Sequence, residues 1–438
     1  FSTYAGNPYF IDLNTLIEEG VLTKKECNLA DFGSDSRFID YGKLYKARYK
    51  LLRKAYERSN ISQNPEFQTF QEENAWWLDD YSLFMAVKGF FQDECWDKWP
   101  EDIKKRYGYA LDYYREQLYF EVEFQKYMQF EFSIQWKKLK TYANENGIRI
   151  IGDIPIYVAY DSADTWAHPE LFQLDEENVP LAVAGCPPDG FAADGQLWGN
   201  PLYRWDYHRQ TGYAWWIQRL SYAFYLYDVV RIDHFRGFDE YFSIPYGDTT
   251  ARNGHWEKGP GIELFHRMKE VLGERDVIAE DLGYVTDSVR QMVFESGFPG
   301  MKVFEFAFDS RDTGCAGDYL PHNYPVNSVV YTGTHDNATL IGWYQDIPKE
   351  GREMLRDYIH DYTTSDRSLH WSVICRVMGS PARICMIPMQ DYLGLDNTCR
   401  INTPSTLGTN WKWRLLDGEF TSDLQNKIKK LVRIYQRN

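Results

Sequence analysis

Residues 229–237 read Val-Val-Arg-Ile-Asp-His-Phe-Arg-Gly. A β-branched run drives straight into Arg231, Asp233 and His234. A buried charge is costly unless it is paired or put to use. The stretch therefore asks what else in the chain converges on Asp233. Its form, an apolar run closed by polar groups, recurs along the sequence. Similar runs are IRIIGDIPIYV (148–158), DVVRIDHF (228–235), DVIAEDLG (276–283), MKVFEFAF (301–308), SVVYTGTHDN (328–337) and ARICMIPMQDYLG (382–394).

Strand-like runs that alternate with helical or loop segments imply parallel pairing. Their near-continuous apolar character implies cover on both faces. Several end in an acidic residue, and a (β/α)8 barrel gathers its working groups at the C-terminal ends of its strands. The expected fold class is thus α/β, a (β/α)8 TIM barrel. A doubly wound open sheet is the rival, but neither a GxGxxG nor a Walker loop is present to suggest it. The six runs are two short of a full barrel.

The remaining organisation is coarse. The opening FSTYAGNPYFIDL reads as a loop, with a turn at Gly6-Asn7-Pro8. From about Ser36 to Asn146 apolar and aromatic residues recur at helical spacing, and Gly147 is placed as a C-terminal cap. From Gly185 to Pro201 the glycine- and proline-rich composition predicts a long loop of the kind that binds or covers a ligand.

Composition excludes several classes. With 48 Lys+Arg against 64 Asp+Glu, the formal net charge is −16. That balance argues against nucleic acid, which needs a basic face, and against an anionic membrane surface. No apolar run is long enough to span a bilayer. Seven scattered cysteines without a CxxC pair fit a reducing, cytoplasmic compartment and no metal-binding pattern. Aromatic content is 17%. Such rings stack on sugar faces, but their commoner use is to fill a large core.

Three strand ends carry acids: Asp233, Glu280 and Asp336. Paired carboxylates are the instrument of glycoside chemistry, in which one attacks and the other moves a proton. They can also hold a divalent metal, or merely cap helices and pair with surface bases. His335 is a candidate for a substrate hydroxyl, and Trp198 for stacking on a sugar or for loop packing. The residues alone leave these alternatives open.

Longer stretches carry a resemblance. GIRIIGDIPIYVAYDSADTWAHPELF (147–172), GQLWGNPLYRWD (195–206), VVRIDHFRGF (229–238), NGHWEKGPGIELF (253–265), VIAEDLG (277–283), FPGMKVFEFAFD (298–309), VVYTGTHDN (329–337) and NTPSTLGTNWKWR (402–414) resemble the 4-α-glucanotransferases, or amylomaltases, of the α-amylase clan. The likeness runs over essentially the whole chain.

The resemblance implies roles for individual residues. Asp233 would be the nucleophile that forms a β-glucosyl-enzyme intermediate, and Glu280 the general acid/base. Asp336 would grip the sugar's 2- and 3-hydroxyls. Arg231 would orient Asp233 and keep it ionised. His335 and Asn337 would bind beside Asp336, Asp153 would support the site from an earlier strand, and Phe191 and Trp198 would close over the acceptor. No metal or cofactor is implied. Substrates would be α-1,4-glucans: maltose, maltotriose, maltodextrins, starch or glycogen. A retaining double displacement asks for carboxyls about 5–5.5 Å apart.

Three features depart from the family pattern. An N-terminal segment that supplies the first two barrel strands and a tyrosine-bearing loop is absent, which matches the count of six strands. Gly190 stands where many members have tyrosine, and Ser405 where glycine is common. The implied domains are a catalytic barrel of residues 1–35 and 147–438 and an inserted helical subdomain of residues 36–146. An α-glucan hydrolase, a catalytically impaired glucan-binding protein and a metal-dependent hydrolase are the rival functions.

Overall fold

The computed structural model describes residues 2–188, 193–283, 285–308 and 316–437. The readings at Gly190 and Phe191 lie outside the described residues. The chain forms two compact units, one of Phe1–Asp31 and Gly42–Val277, the other of Phe32–Tyr41 and Ile278–Asn438.

In the first unit, long helices occupy much of the stretch that has helical spacing: Tyr41–Arg58, Pro65–Phe90 and Tyr119–Glu145. Pro65 takes the first helical position and the Asn64 side chain accepts the Glu66 N–H, so the helix start is fixed locally. Phe130 packs its ring 5.4 Å from Phe67 and 5.6 Å from Phe70, joining two of these helices through buried faces. Past Glu145 the chain turns at Gly147, whose φ of +72° is the left-handed conformation expected after a helix end.

The strands follow. They are β1 (Ile151–Ile154), β2 (Ala182–Cys186), β3 (Gln196–Pro201), β4 (Val229–Ile232), β5 (Glu240–Pro245) and β6 (His255–Lys258). β1 and β4 pair in parallel, with Asp153 opposite Arg231. Every residue of β4 is buried, as its apolar run requires. The Val230 N–H reaches the carbonyl of Asp276, where the next parallel strand begins. Buried Arg219 donates to the carbonyl of Ile156 and to the Tyr203 hydroxyl, which fixes the segment leaving β1.

β2, β3, β5 and β6 form a separate antiparallel sheet in the order β3-β2-β5-β6. This corrects the reading of residues 185–201 as one long loop, since strands occupy both of its ends. Gly185 hides the pattern. A Cβ there would come within 2.1 Å of the Gln196 carbonyl oxygen, so close strand approach demands glycine where composition suggests a turn.

At β7 (Val277–Ala279) the chain passes into the second unit, which continues with β8 (Gly300–Val303), β9 (Ser328–Tyr331) and β10 (Ile384–Met386). β8 pairs in parallel with β7 and with β9, and β9 with β10. All six apolar runs thus contain a strand with a parallel neighbour. Each strand is shorter than its run, because the backbone leaves the ladder where the polar residues begin. MKVFEFAF, for instance, turns into a 3-10 helix at Phe304–Ala307. Phe304, Val330, Trp343, Leu355, Leu369 and Val373 make the core of this unit, between strands and helices. Many aromatic residues fill the interior, and Trp96, Trp166, Trp216, Tyr127 and Tyr203 are among the largest wholly buried side chains.

Candidate active site

In the first unit the candidate groups meet at the ends of β1 and β4. The Arg231 side chain is only 8% exposed, while Asp153 and Asp233 are each 40% exposed. The Arg231 Nη1 lies 2.7 Å from both Asp153 oxygens and 3.0 Å from Asp233 Oδ1. Parallel register puts Asp153 and Arg231 side by side, and Asp233 follows two residues on, facing the same way. The Asp233 N–H donates to the Ile154 carbonyl at 3.0 Å, so the nucleophile candidate stays anchored to the neighbouring strand.

His234 comes next, at φ 51°. Burial, with a smaller contribution from Arg236, pulls its imidazole down to about 4, so the ring is neutral at pH 7. Its ring meets Trp198 edge-on at 4.9 Å. Trp198 also donates its indole N–H to the Gln196 side chain at 3.0 Å. Trp198 therefore leaves β3 with its ring braced beside the residue that follows Asp233.

In the second unit, Glu280 sits directly after β7 and is half-buried. Its Oε1 accepts the Leu282 N–H at 2.8 Å, a local turn that sets the carboxyl's direction. The next residue, Asp281, turns inward and accepts the Met301 N–H at 2.7 Å. Burial raises its carboxyl above the ordinary range.

The loop after β9 holds His335, Asp336 and Asn337. The His335 Nε2 is 3.2 Å from Asp336 Oδ2. Asn337 turns its side-chain oxygen back to accept both the N–H and the hydroxyl of Thr334, at 2.9 and 2.7 Å. The Asp336 N–H in turn donates to the Thr334 hydroxyl at 3.2 Å. Residues 334–337 are thereby a self-bonded turn that presents Asp336.

Several supporting residues escape a reading of strand ends. The Asn402 side-chain amide donates to Asp336 Oδ1, and the Arg400 guanidinium donates to the Asp336 carbonyl. The Asn402 N–H bonds the His335 carbonyl at 3.1 Å, and the Trp411 ring lies 5.1 Å from His335. Burial lowers the Arg400 pKa, while Glu305 and Asp336 pull the other way. Glu305 lies beneath Gly333, where a Cβ would meet its carboxylate at 2.9 Å. The stretch NTPSTLGTNWKWR holds Asn402 and Trp411, and that was its only signal; its long separation from Asp336 hides the contact. Among the described residues, no cluster of His, Cys, Asp and Glu could hold a metal ion.

The chain matches a protein-family model described as 4-alpha-glucanotransferase over residues 1–419. It is 47% identical over 439 residues to a 4-alpha-glucanotransferase of Clostridium butyricum, covering 100% of this chain and 89% of that protein. A Thermus thermophilus 4-alpha-glucanotransferase is 44% identical, with 100% and 88% covered. Among solved structures, an amylomaltase from Streptococcus agalactiae in complex with acarbose superposes with a TM-score of 0.96 at 38% identity, covering 100% of this chain and 88% of that one. A likeness of this extent reaches every strand end described above, and on it the chain belongs to the 4-alpha-glucanotransferase family, enzymes that transfer glucan segments between α-glucans in starch and maltodextrin metabolism.

Proposed function

We propose that the transfer is a retaining double displacement in which Asp233 is the nucleophile, Glu280 the general acid/base and Asp336 the group that grips the sugar's 2- and 3-hydroxyls. In the first step an Asp233 oxygen attacks C1 of an α-1,4-linked glucosyl residue. The bond from C1 to the bridging oxygen breaks, and Glu280 gives that oxygen its proton. The product is a β-glucosyl ester on Asp233. In the second step Glu280 takes the proton from the 4-hydroxyl of an acceptor glucan, whose oxygen attacks C1 and expels Asp233 as carboxylate. Two inversions restore the α configuration.

The observation that carries this reading is the placement of Arg231 within 3.0 Å of Asp233 and 2.7 Å of Asp153. A nearly buried guanidinium is a fixed, charge-assisted donor that holds and orients an adjacent carboxylate for attack. Arg231 and Asp153 are positioning groups. His335, Asn337, Trp198 and Phe191 are assigned to substrate binding. Glu280 does all the proton transfer, and no step is assigned to a metal or cofactor. Substrates are maltotriose, longer maltodextrins, starch or glycogen.

The strands are read as part of a (β/α)8 barrel, with residues 36–146 as an inserted helical subdomain. Cytoplasmic action is supported by the unpatterned cysteines. No described helix is long and apolar enough to cross a membrane.

Product analysis on maltotriose tests the reaction. Transfer yields glucose together with maltodextrins longer than the substrate, whereas hydrolysis yields shorter sugars alone. Activity should survive a chelator. The residue roles are tested by Glu280→Gln with α-maltosyl fluoride, whose good leaving group needs no proton, so the glycosyl ester should accumulate on Asp233 and be seen by peptide mass spectrometry. Unchanged turnover in Asp233→Asn overturns the assignment.

A further inference from the structure

The short helix Met389–Leu393 holds both stretches of chain that frame Asp336. Asp391 on this helix is 1% exposed. Its Oδ2 accepts the Thr332 hydroxyl at 2.5 Å, and its Oδ1 accepts the Leu340 N–H at 2.8 Å. Thr332 directly follows β9, and Leu340 opens the helix Leu340–Asp346. One carboxylate thus clamps the start and the end of the loop carrying His335, Asp336 and Asn337.

The adjacent residue supports the other side. Gln390, also buried, donates its side-chain amide to the Cys399 carbonyl at 3.2 Å. Arg400 and Asn402 come next in the chain, and both donate to Asp336. Asn397 adds a tie, accepting the Thr339 N–H at 3.1 Å.

We propose that Asp391 is a positioning residue for the transfer reaction, one that fixes residues 332–340 and through them the Asp336 carboxylate in the geometry the transition state needs. The inference rests on the assignment of Asp336 to the sugar's hydroxyls. A carboxylate is suited to this task because the site asks one side chain for two acceptors, one toward a hydroxyl and one toward a backbone N–H at a helix start. Burying a carboxylate is otherwise an expensive way to fill space. A nine-residue span that must present a carboxylate to sub-ångström tolerance needs such a tie at each end, since small misplacements of a catalytic group are costly in rate.

The test is a double-mutant cycle in the full chain, read by kcat and KM on maltotriose. Asp391→Ala should lower kcat by roughly 100-fold with a much smaller change in KM. Asp391→Asn should stay within about threefold of the parent, because its oxygen still accepts the Leu340 N–H and the Thr332 hydroxyl can rotate to accept from its amide. In an Asp336→Asn background, Asp391→Ala should add little further loss, because its effect runs through Asp336. If Asp391→Ala is insoluble, Thr332→Val removes one arm of the clamp and should show the same loss in kcat and the same non-additivity. Fully additive losses, or a lowered melting temperature with unchanged kcat, overturn the proposal. Unchanged kcat in Asp336→Asn alone overturns the underlying assignment instead, so the two failures are told apart.

Discussion

Arg231 faces Asp153 across the parallel register of β1 and β4 and holds both of its oxygens at 2.7 Å, while the same nitrogen reaches Asp233 at 3.0 Å. One buried cation therefore bridges two half-exposed carboxylates, one within β1 and one directly after β4. This answers what the charge in VVRIDHF is for: it is paired, and the pairing aims Asp233.

Arg231→Lys should keep the charge and lose the bridge, because an ammonium is a point donor on a flexible stem whereas guanidinium is a planar fork. We expect kcat on maltotriose to fall by roughly 100-fold with the fold intact by circular dichroism. A lysine variant with near-parental kcat would show that charge alone suffices.

Asn402 donates to the Asp336 carboxylate, so its removal should loosen that group without removing it. Asn402→Ala should lower kcat by about tenfold, the usual scale for a single hydrogen bond to a charged group. Asn402→Asp should do worse and also move the acid limb of the pH–rate profile upward, since a like charge beside Asp336 raises its pKa. Rate measurements from pH 4 to 8 check both, and an unmoved acid limb in Asn402→Asp would remove this role.

Ser405 stands at φ +62°, in the left-handed region that disfavours residues with a Cβ. Glycine relieves this at the cost of a more flexible unfolded chain. Ser405→Gly should stabilise the protein by about 0.5–1 kcal/mol, read as a higher urea midpoint with an unchanged slope.

Glu131 lies almost wholly buried on the helix Tyr119–Glu145, and burial, with Glu19 as a second cause, pushes its carboxyl up to about 8. A folded-state pKa above the unfolded one favours the protonated form. Its contribution to stability is complete below the ordinary value of 4.5 and is lost as pH rises through about 8. Glu131→Gln should therefore gain on the parent between pH 5 and pH 8.5, by up to about 4 kcal/mol in urea unfolding. An equal difference between the two proteins at both pH values would contradict the burial argument.

Much of this was legible in the chain because it is written locally. An apolar run bounded by polar residues reads locally as a strand, and each of the six runs contains one, from the wholly buried β4 to the half-buried β10. The polar residues at the ends of those runs had to leave the ladder, which is why Asp233, Glu280 and Asp336 stand just past β4, β7 and β9. The helix stop at Gly147 was readable for the same reason, since left-handed backbone is a local property of glycine.

What the tertiary structure alone decided is how those residues are held. The antiparallel sheet containing β2 and β3 was invisible because Gly185 reads as a turn residue until another backbone is found pressed against it. Asn402 and Arg400 lie more than sixty positions from Asp336, and Asp391 is 59 from Thr332. No periodicity or spacing records a hydrogen bond between groups so far apart in sequence. Residue type and local pattern determined which polar groups stand at the strand ends; the folded backbone, by bringing distant donors to fixed acceptors, determined how each one is held.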